Sequence, residues 1–169
     1  MQHKIFGEMQ CAIARSLERV GEWWSILILR DAFQGLTRFG QFQASLEIAP
    51  NMLTRRLNGL VAAGLLERRQ YSARPVRHEY LLTELGRDFR PVLWSLLAWG
   101  NKHFMPEGHT VDLVDAETGA VAEPVLVDRL SGRVLAAPEF ATAAGPAAND
   151  RVRRRQAYAR THGEKGVKS

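Results

Sequence analysis

The stretch that decides the fold is APNMLTRRLNGLVAAG, residues 49–64. Leu53, Leu57 and Leu60 recur at spacings of four and three, which places them on one side of a short helix that faces a core. The proline of this stretch suits a first helical position. Its final glycine suits the left-handed residue that ends a helix. We therefore predict one short amphipathic helix here.

The opposite side of this helix carries side chains that can bind nucleic acid. These residues are Asn51, Thr54, Arg55 and Asn58, with Arg56 at the edge of the face. Amides, hydroxyls and guanidiniums read base edges in a major groove or hold phosphates. An ordinary amphipathic helix with a solvated polar face has the same pattern, so this helix alone leaves both interpretations open.

A second short helix is predicted directly upstream, at residues 38–46. Its apolar side consists of Phe39, Phe42 and Leu46, and residues 47–49 form a tight connection to the helix described above. Two short helices joined by about three residues, the second with a polar outer face, follow the helix-turn-helix plan.

Two further helices are predicted before this pair. Residues 11–20 place Ile13, Leu17 and Val20 on one side. Residues 22–34 are apolar nearly all round, which is typical of a helix buried centrally among others. A strand is the competing interpretation of so short an apolar run, but the total length favours a helix.

Downstream, two short apolar segments flank a polar turn. Residues 65–71 and 76–82 have strand character, and residues 72–75 between them include a proline, so we predict a β-hairpin. Arg74 lies at its tip. A basic hairpin after a helix-turn-helix is a wing that contacts the DNA backbone or a minor groove, although a solvated hairpin would have the same sequence.

A long helical pattern, residues 84–104, follows the hairpin. Thr83 is a suitable N-cap, and Pro91 should kink or split the helix. The helix has two apolar stripes, whereas a surface helix needs one. The first comprises Leu85, Phe89, Val92, Leu96 and Trp99, and the second Leu93, Leu97, Gly100 and Phe104. We expect one stripe to pack on its own domain and the other on a partner chain; alternatively, residues 105–140 cover both.

The C-terminal part contains a short internal repeat. Residues 113–119 (LVDAETG) recur as residues 126–132 (LVDRLSG), and each repeat has the pattern of a strand, a turn ending in glycine and a second strand. The turns resemble zinc knuckles without thiols, so we expect metal-free turns held by hydrogen bonds from Asp, Ser and Thr. Residues 141–150 have a linker composition, and residues 151–160 form either a basic helix or a disordered tail.

The charge is distributed unevenly along the chain. The net charge is +5, made up of +5 in residues 1–104, −6 in residues 105–150 and +6 in residues 151–169. The cluster within residues 50–80 contains six arginines against two glutamates. The positive field therefore centres on the proposed reading helix and hairpin, which favours a polyanionic partner.

Composition limits the other classes of function. The single cysteine, Cys11, excludes an internal disulfide, and no apolar run is long enough to span a bilayer. The five histidines show no ligand spacing, and there is no glycine-rich phosphate loop or nucleophile elbow. We therefore expect a cytoplasmic protein that is not an enzyme and has no metal or other cofactor.

In this arrangement, residues 11–104 resemble the HxlR family of bacterial transcriptional regulators. The matching sequences are Cys11, Gly21-Glu22-Trp23, Leu29-Arg30-Asp31, Arg38-Phe39, Leu53-Thr54-Arg55-Arg56-Leu57, Gly64-Leu65-Leu66, Tyr80 to Gly86 and Trp99-Gly100. Many members have serine where this chain has Ala49, and lysine where it has Glu22.

The resemblance implies a winged helix-turn-helix homodimer that binds a palindromic operator. It also implies that the first helix and the long helix 84–104 form the dimer, and that some members sense oxidants through a cysteine at the position of Cys11. Arg15 could modestly lower the pKa of this thiol. The alternative for Cys11 is a small apolar residue packed in an interface.

The sequence thus predicts an α+β fold, mainly helical, with a two-stranded wing and a C-terminal β-hairpin appendage. The expected domains are 1–104 for DNA binding and dimerisation, 105–140 for the appendage, and 141–169 for a linker with a basic helix or tail. The predicted function is transcription regulation, by repression, under a small-molecule or thiol signal. A winged helix used only for protein contacts is the alternative. In the DNA complex, Arg56, Arg38, Arg69, Arg74 and Arg77 would hold phosphates.

Overall fold

The computed structural model describes residues 6–162 as seven α-helices and one two-stranded antiparallel sheet. A 3-10 turn at Phe6–Glu8 comes first. The helices and strands are α1 (Ala12–Val20), α2 (Trp23–Phe33), α3 (Phe39–Leu46), α4 (Pro50–Ala62), β1 (Leu66–Ala73), β2 (Val76–Leu82), α5 (Glu84–Arg87), α6 (Arg90–Phe104) and α7 (Asp150–His162). The α+β class and the order of elements predicted for residues 11–104 are confirmed. The expected domain limits also include residues 1–5 and 163–169, which lie outside the described residues.

Helix α2 is the centre of the core. It contacts α1, α3, α4, α6 and β2, and its Ile28 and Leu29 are fully buried. The predicted central helix is therefore confirmed, with one exception. Trp23 is 75% exposed, because it lies on a side of the first turn that no described element covers.

The helix-turn-helix consists of α3, a three-residue connection and α4. Glu47 ends α3 in the left-handed conformation, at φ 51°, and this turn directs the chain into α4. Ala49 provides no side-chain cap, and Pro50 occupies the first turn of α4. The three predicted leucines of α4 are at most 1% exposed, so this face is buried as expected.

The wing is the hairpin formed by β1 and β2. Ala73 pairs with Val76 across a two-residue tip, and the register is interrupted by a bulge between Gln70 and Ser72. The chain before α3 also joins this sheet, because the amide of Tyr80 donates to the carbonyl of Thr37 at 2.7 Å. The wing is therefore fixed to the helix-turn-helix along one edge.

The long helical pattern is split in two, as the proline predicted. The break lies at Asp88 and Phe89, between α5 and α6. Thr83 caps α5 as expected, since its hydroxyl accepts a hydrogen bond from the amide of Gly86 at 3.0 Å.

The two apolar stripes have different environments. Phe89 and Leu93 pack against the core. Most of the first stripe is exposed, as are residues of α1. The large exposed side chains of these two helices are Ile13, Leu17, Val92, Trp94, Leu96, Trp99 and Phe104. The alternative in which residues 105–140 bury both stripes within one chain is therefore wrong.

The segment between α6 and α7 has no buried residue, and its predicted strands do not form. Each repeat instead makes a turn closed by a single bridge, Val114 with Val121 and Val127 with Val134. In each repeat the backbone pairing stops at this one β-bridge, so no continuous strand forms. Of the two interpretations of the basic C-terminal stretch, the helix is confirmed as α7.

Hydrogen bonds hold these turns as predicted. In the first turn, a carboxylate oxygen of Asp115 accepts from the amide and the hydroxyl of Thr118 at 2.7 and 2.9 Å. Asp128 accepts from Ser131 in the same manner. These donors lower the pKa of both aspartates, chiefly through the amide of Thr118 for Asp115 and the hydroxyl of Ser131 for Asp128.

Within residues 6–162, none of the helices has the length and apolar character needed to cross a bilayer.

Gly86 provides a test of the packing between α5 and β1. A Cβ at this position would overlap the carbonyl oxygen of Leu65, so we expect Gly86→Ala to destabilise the fold by about 1–3 kcal/mol. The matched control is Gly59→Ala in the exposed part of α4, where no atom lies within 4 Å of the added Cβ. The control should stabilise by about 0.5–1 kcal/mol, as expected for Gly→Ala within a helix. Thermal unfolding measures both, and equal melting temperatures would contradict the close approach.

Candidate nucleic-acid interface

The outer face of α4 carries four of the predicted residues together. Asn51, Thr54, Arg55 and Asn58 are all exposed and occur at helical spacings of three, four and seven. The Thr54 hydroxyl donates to the carbonyl of Pro50 at 2.8 Å, which fixes its rotamer. The Arg55 guanidinium approaches only a thioether, that of Met52 at 3.2 Å, and has no carboxylate partner among residues 6–162. This face therefore presents exposed polar side chains whose contacts are local to α4, and none of the four is paired with an acid among residues 6–162.

Arg56 has a different environment from its neighbours on α4. One guanidinium nitrogen forms an ion pair with Glu22 at 2.7 Å, and the side chain is only 15% exposed. Its Nε is buried without a hydrogen-bond partner. Arg56 thus ties α4 to the start of α2, and its predicted phosphate contact stays a prediction that competes with this ion pair. The unusual Glu22 is the residue that supplies the counter-charge.

The wing collects a second group of cations. The backbone of Arg38 forms an isolated β-bridge with that of Glu79 in β2. On the other side of β2, Arg69 of β1 is the cross-strand partner of the same glutamate. Residues that are directly opposite in antiparallel pairs lie on one face of a sheet. Arg77, two residues from Glu79, is on this face as well. The register therefore aligns Arg38, Arg69 and Arg77 on the side of the wing that faces away from Tyr80 and the core.

Contacts within the wing fix some of these cations and leave others free. Arg69 binds Glu79 at 2.8 Å, and Arg38 lies over the ring of Tyr71 at 4.6 Å. Arg74 at the tip and Arg77 on β2 are exposed and form no ion pair within the described part of the chain. The wing thus combines two guanidiniums held by contacts, those of Arg38 and Arg69, with two that are exposed and unpaired within the described residues, those of Arg74 and Arg77.

Cys11 is the N-cap residue of α1. The amides of Ala14 and Ile13 lie near its sulfur without a capping hydrogen bond, and Arg155 of α7 approaches it from a distant part of the chain. These interactions, with the Ala14 amide first, lower the pKa of the Cys11 thiol below its ordinary value. Arg15, the cation considered from sequence, donates instead to the carbonyl of Met9.

Two tryptophans of α6, Trp94 and Trp99, line two different clefts. Trp99 lines a cleft of about 350 Å³ with Lys102 and the segment Pro124 to Leu126. Trp94 lines a separate cleft with Arg87 and Arg90.

Three contributors to these sites were not predicted from sequence. Tyr71 orients Arg38, Glu79 partly neutralises the wing, and Arg155 approaches Cys11. The period-two pattern of the hairpin could have indicated Glu79, since Arg69 and Glu79 face each other once the tip is located. No local signal connects Arg155 with Cys11, which is 144 residues away.

Comparison with known proteins connects this geometry to a family. Residues 19–108 match the family model described as HxlR-like helix-turn-helix, which is more than half of the chain. The HTH-type transcriptional regulator Rv3095 of Mycobacterium tuberculosis is 40% identical over 147 residues, covering 86% of this chain and 91% of the relative.

The chain belongs to the HxlR-like helix-turn-helix family. It is therefore a DNA-binding transcriptional regulator of the helix-turn-helix type and not an enzyme.

Solved structures support the same assignment and reach beyond the family core. PA1374 of Pseudomonas aeruginosa, provisionally named a transcription factor, is 54% identical and covers 86% of this chain and 99% of its own, with a TM-score of 0.63. PA1607, also a provisionally named transcription factor, is 37% identical, with coverage of 83% and 99% and a TM-score of 0.75. The redox regulator HypR in its oxidized form is 31% identical over 55% of this chain and 97% of its own, with a TM-score of 0.51.

The environment of Cys11 predicts a reactive thiol. We expect the alkylation rate of the folded protein, followed against pH with iodoacetamide, to have its midpoint below that of the urea-unfolded chain, since only the thiolate reacts. Arg155→Gln should move the midpoint upward, because it removes a cation that stabilises the thiolate. Arg153→Gln on the same helix is the matched control and should leave it unchanged. A midpoint equal to that of the unfolded chain would contradict the assigned environment.

Proposed function

We propose that this HxlR-like regulator binds a palindromic operator as a homodimer and represses transcription by occupying promoter DNA. The observation that carries the proposal is the exposed polar face of α4, which is followed along the chain by the arginines of the wing. Dimer symmetry would present two copies of α4 to successive major grooves, about 34–36 Å apart.

The two cationic surfaces have separate tasks in this proposal. Asn51, Thr54, Arg55 and Asn58 contact base edges, since their groups are exposed and free of acidic partners. The wing arginines and Arg38 contact phosphates. Arg56 joins them only if DNA displaces its ion pair with Glu22. Base contacts determine sequence preference, whereas phosphate contacts supply affinity and position.

The homodimer is supported by the apolar surface that one chain leaves uncovered. The exposed side chains of α1 and α6 include Ile13, Leu17, Val92, Leu96 and Trp99. Large apolar side chains left exposed together on one helix mark candidate protein interaction sites. Helix α6 lies within residues 19–108, which match the family model, and α1 ends at the start of that region. We therefore favour a second copy of the chain as the partner.

Repression is the mode of regulation that requires only DNA binding by the protein. A bound dimer blocks access to promoter DNA by occupancy alone and needs no contact with the polymerase. We place this action in the cytoplasm, at the nucleoid, where the DNA is.

Control through Cys11 is the second part of the proposal. A thiol with a lowered pKa at a helix N-terminus is reactive towards oxidants, and the related HypR is a redox regulator. Cys11 begins α1, so its oxidation would change a helix of the proposed dimer. A small-molecule effector would have the cleft beside Trp99 available, which is lined by α6 and by the segment Pro124 to Leu126.

The division between base and phosphate contacts can be tested by two substitutions. Arg55→Ala should lower discrimination between a selected operator and scrambled DNA by about 1–3 kcal/mol. Arg74→Ala should weaken binding to both DNAs alike and reduce the salt slope by about 2, since the dimer loses two phosphate contacts of about 0.9 each. Arg129→Ala, in the segment between α6 and α7, is a charge-matched control. Binding titrations on an operator selected from random DNA measure all three. Equal losses on both DNAs for Arg55→Ala and Arg74→Ala would refute the division, and a wild type without sequence preference would favour the protein-contact alternative.

The proposed dimer can be tested by placing a charge on its apolar surface. Leu17→Asp should weaken self-association by about 2 kcal/mol or roughly 30-fold, the scale of an interface hot spot. Val76→Asp at the exposed wing tip is the control and should leave the association unchanged. Sedimentation equilibrium gives both dissociation constants. A Leu17→Asp protein that stays as dimeric as the wild type would exclude α1 from the interface.

A further inference from the structure

Helix α7 concentrates positive charge outside the winged helix-turn-helix. Its 13 residues contain five arginines and one acid, Asp150, in the first turn. The arginines are Arg151, Arg153, Arg154, Arg155 and Arg160. Neither the wing nor the outer face of α4 involves this helix, so its charge, apart from that of Arg155 near Cys11, has no task in the function proposed above.

The helix is held in a defined position and is not a free tail. The amide of Asn149 donates to the side chain of Gln10 at 3.0 Å, and Thr142 donates to Gln156 at 3.2 Å. Arg155 reaches Cys11 at the start of α1. These contacts leave the sides of α7 that carry the other four arginines exposed.

The chain does not neutralise these four arginines. None of them forms an ion pair within residues 6–162, although the segment between α6 and α7 is rich in acids. Asp115 and Asp128 are engaged in their own turns, and Asp112 pairs with His109. Like charges three and four residues apart weaken an isolated helix. An external anion would relieve this repulsion.

Helix α7 is connected to α4 through contacts at the two ends of α1. The residue before α7, Asn149, donates to Gln10 just before the first end of α1. The other end of α1 is followed by Glu22, which binds Arg56 of α4. A nine-residue helix is about 14 Å long. The start of α7 and the Glu22–Arg56 ion pair therefore lie about the length of α1 apart.

We propose that α7 is a second DNA-contacting element, whose arginines bind backbone phosphates of the duplex beyond the bases read by α4. The proposal rests on the function proposed above and lengthens the stretch of DNA that the protein contacts. Guanidiniums bind phosphate oxygens in bidentate geometry. A protein partner fits less well, because interface centres are depleted of charge and built on aromatic anchors. The aromatic residue of α7, Tyr158, is already stacked on His162 at 4.2 Å.

Arg153 and Arg160 are the best pair for a test. They are seven residues apart, so they lie on one flank of α7 about 10 Å from each other. In the double variant Arg153→Gln/Arg160→Gln, glutamine retains a good helix former and leaves Arg155 in place. The matched control, Lys102→Gln/Arg129→Gln, removes the same net charge from exposed positions outside α7. Circular dichroism establishes that both variants keep their helices.

Salt-dependent binding to two duplexes decides the question. One duplex ends at the selected operator, and the other extends about 10 bp, one helical turn, beyond each end. On the long duplex, the α7 variant should reduce the salt slope by about 2–4, since the dimer loses four arginines and each lost phosphate contact removes about 0.9. On the short duplex, the variant and the wild type should bind alike. Sequence preference should be unchanged on both.

Each contrary result has a distinct meaning. A wild-type slope in the α7 variant, or an equal loss in the control, overturns the role of α7 while the proposed operator binding stands. Weaker self-association with an unchanged slope means that α7 contacts a second copy of the chain, and likewise overturns it. A wild type that binds no DNA overturns the proposed operator binding and this extension together.

Discussion

Burial of one side of α4 against α2 is the constraint on which the interface depends. Leu53, Leu57 and Leu60 belong to the same buried cluster as Ile28 and Leu29, and all are at most 1% exposed. Full burial of a leucine side chain contributes about 1.5–3 kcal/mol relative to exposure. These three residues therefore fix both the position of α4 and its rotation about its axis. Because the rotation is fixed, the residues at the complementary spacings must face outward.

The parts of the fold that could be predicted from sequence are those determined by local periodicity and turn chemistry. The leucine spacing located α4, the hairpin pattern located the wing, and Pro91 marked the break between α5 and α6. The strands of the acidic segment were predicted wrongly, because alternation of Val and Leu indicates strand character but does not supply a neighbouring strand. There, Asp115 and Asp128 close each turn within a few residues, and one bridge is all that follows.

The candidate site was predictable in composition but less so in electrostatics. The exposed face of α4 follows directly from the leucine positions. Whether an arginine is free depends on contacts between distant residues, such as that of Arg56 with Glu22, 34 positions away. The same limit applies to Arg155 and Cys11. Helical periodicity reports which side of an element is buried, and it carries no information on which charges the fold brings together.

One hydroxyl group joins three parts of the domain. Thr83 donates to the carbonyls of Gly64 and Leu65 at 2.6 and 3.2 Å, directly after α4, and accepts from Gly86 in α5. Gly86 also packs against the backbone of Leu65 so closely that a methyl group would not fit. The close packing at Thr83 and Gly86 leaves little room for movement between α5 and the residues that follow α4. A displacement of α5 would therefore shift the residues that follow α4, so that the helices proposed for dimerisation and for DNA reading are linked through Thr83 and Gly86.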